Sequence, residues 1–254
     1  MEYRSQKALA RTGLVVLALT AVSLQATEFR FQVLHDHLLV RKDQPATLVV
    51  DEHGITFQEQ SRKKKTPDQL HHGHWGYQDV EQLYVSPDKI KIVTYQDRKW
   101  ALGVDQEYEF KLLPGQDVRP VYELLKNRLD RRFVAAVADE QVEALWTLPV
   151  KLLGKLSGSQ GTLRFSGDRI VYLSDRKGAS RTWRYQDIEN ISSSDPYQLT
   201  ITSYERAATH YGSRKGFNFQ LKQPLDEKRF NLVWRRLNAV HGLELLTSIP
   251  EKGN

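Results

Sequence analysis

Hydrophobic and polar residues alternate strictly through Tyr108-Glu109-Phe110-Lys111-Leu112, the period of two that marks a strand with one buried face. Phe217-Asn218-Phe219-Gln220-Leu221 carries the same alternation, with aromatic or leucine side chains at the same three places. Earlier in each stretch, Ile90–Tyr95 lines up with Leu199–Tyr204, and Leu48–Phe57 with Leu163–Tyr172. The last two each read as a pair of short strands around a polar turn, Asp51-Glu52-His53-Gly54 in one and Ser166-Gly167-Asp168 in the other. After the alternating strand the period changes to three and four. Val118, Val121, Tyr122, Leu125 and Leu129, and then Phe230, Val233, Trp234 and Leu237, mark the apolar faces of two amphipathic helices. Asp117 and Asp226 stand where caps are needed, Pro120 where a missing N–H costs nothing, and Gly242 where the second helix stops.

A nine-residue stretch makes this repetition specific. Trp75-Gly76-Tyr77-Gln78-Asp79-Val80-Glu81-Gln82-Leu83 stands beside Trp183-Arg184-Tyr185-Gln186-Asp187-Ile188-Glu189-Asn190-Ile191, at an offset of 108 residues. Self-similarity over this length, flanked by matching elements, reads as an internal duplication. Two units are expected, residues 28–138 and 139–254, each a set of antiparallel strands closed by one helix of about three turns. Phe133–Glu143 is expected to extend the first helix into the connection. The expected core includes Trp75, Tyr77, Tyr122, Leu125 and Leu129 in the first copy, and Trp183, Tyr185, Phe230, Val233, Trp234 and Leu237 in the second. Truncating Tyr122 or Trp234 is expected to cost about 3–5 kcal/mol where the side chain is fully buried.

With 254 residues, 40% hydrophobic and 27% charged, the chain has the composition of folded domains and can fill two cores. It contains no cysteine, which excludes disulfides, thiolate catalysis and cysteine metal sites. A net charge of +6 gives a weak pull toward anionic surfaces. Arg4, Lys7 and Arg11 precede an apolar run, Gly13–Leu24, that is short for a hydrocarbon core of about 30 Å. The run leads into Ser23-Leu24-Gln25-Ala26, so residues 1–26 read as a secretory signal peptide or an uncleaved N-terminal anchor. The expected location is exported, periplasmic or secreted. Processing after Ala26 removes Arg4, Lys7, Arg11 and Glu2, a net +2, and leaves +4.

The Trp-x-Tyr-x-Asp-Val/Ile-Glu stretch near the middle of each unit, with Gly54-Ile55 and Phe57 before it and the Val118–Leu129 helix after it, resembles the pleckstrin-homology-like superfold in its divergent bacterial, GRAM-like forms. The second copy carries the likeness on Arg169-Ile170, Tyr172, Trp183–Ile191 and Asp226–Leu237. The resemblance implies a mainly β fold with C-terminal helices: two partly open barrels of seven strands, each capped by one helix. It implies no activity and no cofactor, and it leaves headgroups, peptides and other domains open as ligands.

Three clusters carry candidate chemistry. Arg62-Lys63-Lys64-Lys65 lies in a long loop and reads either as a solvated charged loop or as a contact for anionic lipid or polymer. His35, His37, His71, His72 and His74, with Asp36 and His53 nearby, supply possible metal ligands, although their spacing fits no standard zinc signature. The recurring carboxylates Asp79 and Glu81, and Asp187 and Glu189, read as an acid–base pair or as strand-end groups bonding backbone. Trp75 and Trp183 read as packing residues before ligand platforms. No Gly-rich phosphate loop, nucleophile elbow or nucleic-acid motif is present. A non-enzymatic binding or scaffold protein of the bacterial cell envelope is therefore expected, engaging a protein partner. Peripheral binding to an anionic membrane through Arg62–Lys65, or metal binding through the histidines, is the alternative.

Overall fold

Each copy folds its strands in the same order, as the computed structural model of residues 27–35, 44–60, 72–98, 101–154, 158–207 and 212–243 shows. The first copy comprises β1 (Phe29–His35), β2 (Gln44–Val50), β3 (Gly54–Glu59), β4 (His72–Gly76), β5 (Val80–Val85), β6 (Lys89–Arg98), β7 (Ala101–Leu112) and α1 (Arg119–Leu125). A linking strand, β8 (Phe133–Ala135), follows. The second copy comprises β9 (Trp146–Leu153), β10 (Ser159–Phe165), β11 (Arg169–Ser174), β12 (Arg181–Arg184), β13 (Ile188–Ser192), β14 (Gln198–Arg206), β15 (Arg214–Leu221) and α2 (Glu227–Val240). In the first copy the pairing runs β4-β3-β2-β1-β7-β6-β5, and in the second β12-β11-β10-β9-β15-β14-β13. The alternation read from sequence is the burial pattern of β15, where Phe217, Phe219 and Leu221 are buried and Asn218 and Gln220 exposed.

The two separate, partly open barrels implied by the resemblance do not form. All fifteen strands belong to one continuous sheet. The reason is β8. Its register with β5 is parallel, Leu83↔Phe133 to Val85↔Ala135, and Thr182 of β12 pairs with its Ala135. Phe133-Val134-Ala135-Ala136-Val137 is thus a buried strand and its continuation, where the sequence suggested helix. An unbroken apolar run with two valines suits a strand buried on both faces better than a solvent-facing helix.

Each copy keeps its own hydrophobic cluster. The first runs from Phe31 to Val137 and takes Val121, Tyr122 and Leu125 from α1 together with Leu129. The second runs from Leu148 to Leu237 and takes Val233 and Leu237 from α2, with Phe230 packed against it. α1 is a two-turn helix, shorter than the periodicity suggested. Trp234, expected in the core, is 37% exposed. Asp226 caps α2 by accepting from Arg229 N at 2.9 Å, as its position suggested. Asp117 bonds Arg119 N but precedes Val118, which holds the cap position of α1. β9 runs unbroken through Pro149.

Trp75–Leu83 and its counterpart are strand, turn and strand. Tyr77–Asp79 and Tyr185–Asp187 are single 3-10 turns. A carboxylate oxygen of Asp79 accepts from Gly76 N, and one of Asp187 from Arg184 N. Such a local side-chain bond offers the backbone an alternative to the ladder. Gly54 faces Gly76 across β3 and β4. A Cβ built on Gly54 would lie 2.3 Å from the Trp75 carbonyl oxygen. Gly54→Ala is expected to destabilise by about 1–3 kcal/mol through this overlap, read as a lowered urea midpoint with unchanged slope.

Candidate functional site

The sheet leaves two outer edges, β4 in the first copy and β13 in the second. The polar chemistry gathers elsewhere, at the seam where the copies meet. Arg184, on β12, sends its guanidinium into the first copy. Nη1 donates to the carbonyls of Lys126 and Leu129, and Nη2 to that of Asp130 at 2.8 Å. The carbonyls beyond the end of α1 have no helical partners of their own, so this side chain caps the helix from the other copy. Asp187 holds the guanidinium in place, accepting from Nε at 2.9 Å and Nη2 at 2.6 Å. Burial pushes the Asp187 carboxyl above the usual carboxylate range, against the pull of Arg184.

A second node surrounds Asp139. Its Oδ2 accepts from Arg169 Nη1 at 2.7 Å and from the Tyr122 hydroxyl at 2.9 Å, with Lys126 Nζ at 3.8 Å. Its N–H donates to Thr182 Oγ1, whose hydroxyl donates in turn to the Val137 carbonyl. Burial, and then the Asp139 charge, push the Tyr122 hydroxyl above its ordinary range. Arg169 is held still more firmly protonated, first by its bond to Asp168. Asp168 is correspondingly lowered, chiefly by Arg169. A third contact joins Arg206 Nη1 to Asp105 at 2.6 Å and Glu81 at 3.3 Å, while Gln82 bonds the backbone of Tyr204 and Arg206.

A cleft of about 520 Å³ opens at this seam between α1, α2 and the turn before β11. Lys126, Arg169, Arg184 and Arg236 line it with Asp168, Tyr185, Ala239 and Val240. The arrangement holds charge and hydrogen-bonding groups in fixed places.

Of the sites expected from sequence, Arg62, Lys63, Lys64, Lys65, His37 and His71 lie outside the described residues, as do residues 1–26. His35 ends β1, while His72 and His74 lie exposed on β4. His74 Nδ1 shares a hydrogen bond with Thr56 Oγ1 at 3.0 Å. Among the described residues no three His, Asp or Glu side chains come together to hold a metal ion. Asp79 and Asp187 cap turns, Glu81 pairs with Arg206, and Glu189 with Arg214. Trp183 is buried against Phe217, ring centroids 4.8 Å apart, and half-buried Trp75 packs on Tyr108 at 4.7 Å. Tyr77 and Tyr185 repeat one bond, each hydroxyl donating to the carbonyl at the start of the preceding turn, Asp51 or Ser166.

The sequence reading missed the seam. The signal that marks it is a departure from the repeat. Arg169 and Arg184 face each other across β11 and β12, where the first copy has the Gly54–Gly76 pair.

No family model and no curated protein matches the chain. Among solved structures, the C-terminal domain of an unknown protein from Leishmania infantum is 11% identical with a TM-score of 0.29, over 37% of this chain and 84% of that one. The Spt16D Pob3N heterodimer is likewise 11% identical with a TM-score of 0.29, over 70% of this chain and 84% of that one. Similarity at this level carries no argument about family or function.

Proposed function

We propose that the chain is a binding protein that docks an extended segment of a protein partner along the outer edge of β13. One observation carries this reading: the equivalent edge in the first copy is already occupied, from within. β8 lies parallel against β5, with Leu83 N donating to the Arg132 carbonyl and Ala136 N to the Val85 carbonyl, both at 2.8 Å. The repeat places Ile191 where Leu83 stands. No strand among the described residues lies beyond β13. An unpaired strand edge is a template for main-chain hydrogen bonds, and side chains on alternate positions supply selectivity. The occupant of β5 indicates the chemistry of the ligand: a short apolar run such as Phe-Val-Ala, entering behind basic residues. The leader-like residues 1–26 support an exported setting for the encounter.

A peptide carrying the sequence of Asp130–Val137 tests this when titrated onto the full chain with amide NMR detection. Saturable shifts and slowed amide exchange through Ile188–Ser193 are expected. Shifts confined to β4, or none at all, would overturn the reading. Ser193→Pro, which removes a main-chain donor beside the edge, is expected to weaken the peptide about tenfold, the effect of one or two lost hydrogen bonds.

A further inference from the structure

The seam cleft contains a cation that no carboxylate among the described residues answers. Three of its four basic side chains are committed: Lys126 to Glu123 at 2.7 Å, Arg169 to Asp168 and Asp139, and Arg184 to Asp187. Arg236 has no carboxylate within ion-pair distance among the described residues. Its Nη1 donates to the Ser166 carbonyl at 2.9 Å, and it stands beside the Tyr185 hydroxyl. A guanidinium has five donors, so most of its capacity is unspent. The acids that balance the neighbouring arginines, Asp139 and Asp187, are buried. Only Asp168 among the cleft-lining residues is acidic, and its side chain is 64% exposed. That carboxylate already shows how an anion sits here: Asp168 Oδ2 accepts from Arg169 Nη2 at 2.6 Å and from Nε at 3.0 Å. Ala239 and Val240 of α2 add an apolar wall beside Arg236.

We propose that the cleft binds a small anion, a carboxylate or a phosphate, through Arg236, assisted by the donors of Lys126 that its pair with Glu123 leaves over, with any apolar body lying against Ala239 and Val240. A planar guanidinium fits either group by two parallel hydrogen bonds. Lys126 comes from the first copy and Arg236 from the second, so the bound anion would join both sides of the seam. This proposal is independent of strand addition at β13, which lies on a different surface feature.

The test uses the full chain, titrated separately with hexanoate and with inorganic phosphate, following the amide signals of Gly167 and Val240. Saturable shifts are expected with at least one anion. Tighter hexanoate identifies a carboxylate on a hydrocarbon body, and tighter phosphate identifies a phosphoryl group, each supporting the site. Arg236→Gln is expected to weaken binding about tenfold or more, the scale of a lost charge-assisted bond. Asp168→Ala is expected to tighten it, because it removes the carboxylate that lines the cleft and frees Nε and Nη2 of Arg169, whose Nη1 stays on Asp139. Absence of saturable shifts with both anions overturns the proposal. So does an unchanged affinity in Asp168→Ala, which decides the matter even where Arg236→Gln does not fold.

Discussion

Arg184→Met is expected to cost about 3–5 kcal/mol of unfolding free energy, the scale for removing one partner of a buried pair. The variant leaves Asp187 buried without its guanidinium and takes donors from the carbonyls of Lys126, Leu129 and Asp130. The loss should depend on pH, and its sign follows from Asp187. Burial already raises this carboxyl, and removing Arg184 raises it further. A group whose folded pKa lies above its unfolded one binds protons preferentially in the folded state. The variant is therefore least impaired in acid and loses stability as pH climbs from the unfolded carboxylate value of about 3.9 up to the raised folded one. Urea midpoints at pH 4 and pH 7 measure the difference. Adding Asp187→Asn should flatten the dependence, and a loss that is equal at both pH values would contradict the assignment.

Phe110→Ala and Phe219→Ala are each expected to cost about 3–5 kcal/mol, as for fully buried aromatic side chains. The two residues are counterparts, both within 1% of complete burial. Phe110 packs on Phe57 at 5.1 Å and Phe219 on Tyr172 at 5.2 Å. Trp234→Ala serves as the contrast: at its exposed position the cost should stay below about 1 kcal/mol, despite the larger side chain. Because one sheet spans both copies, either phenylalanine variant should lower hydrogen-exchange protection in β6 and β14 alike. Loss confined to the altered copy would mean that the seam transmits little stability.

Much of the fold was legible because periodicity reports burial. The alternation through Phe217, Phe219 and Leu221 fixed a strand, and the helical spacing of Val233 and Leu237 fixed the buried face of α2. What escaped the reading was decided by contacts between the copies. Phe133–Val137 follows a helix and is apolar throughout, a pattern that suits a helix or a buried strand until its neighbours are known. Trp234 falls on the periodic stripe, yet only its neighbours Val233 and Leu237 are buried. The Trp-x-Tyr-x-Asp run reads as strand from its aromatic content, while the aspartate bends it through one backbone bond. The seam arginines were the least legible. Their roles depend on carbonyls and on Asp139, 30 or more residues away along the chain, except for the local pairs Arg169–Asp168 and Arg184–Asp187. Their one mark in the sequence is that they replace glycines of the first copy.

The three residues of β8 have a further meaning for the duplication itself. They pair with a strand of each copy, while Phe133 and Ala135 sit in the hydrophobic cluster of the first. The edge of β13 has no such strand among the described residues, and one supplied by another molecule would be held only as tightly as that molecule's abundance allowed. At β5 the strand arrives on the short tether that follows α1, at an effective concentration on the order of millimolar. A pairing that would be bimolecular at β13 is thus intramolecular at β5.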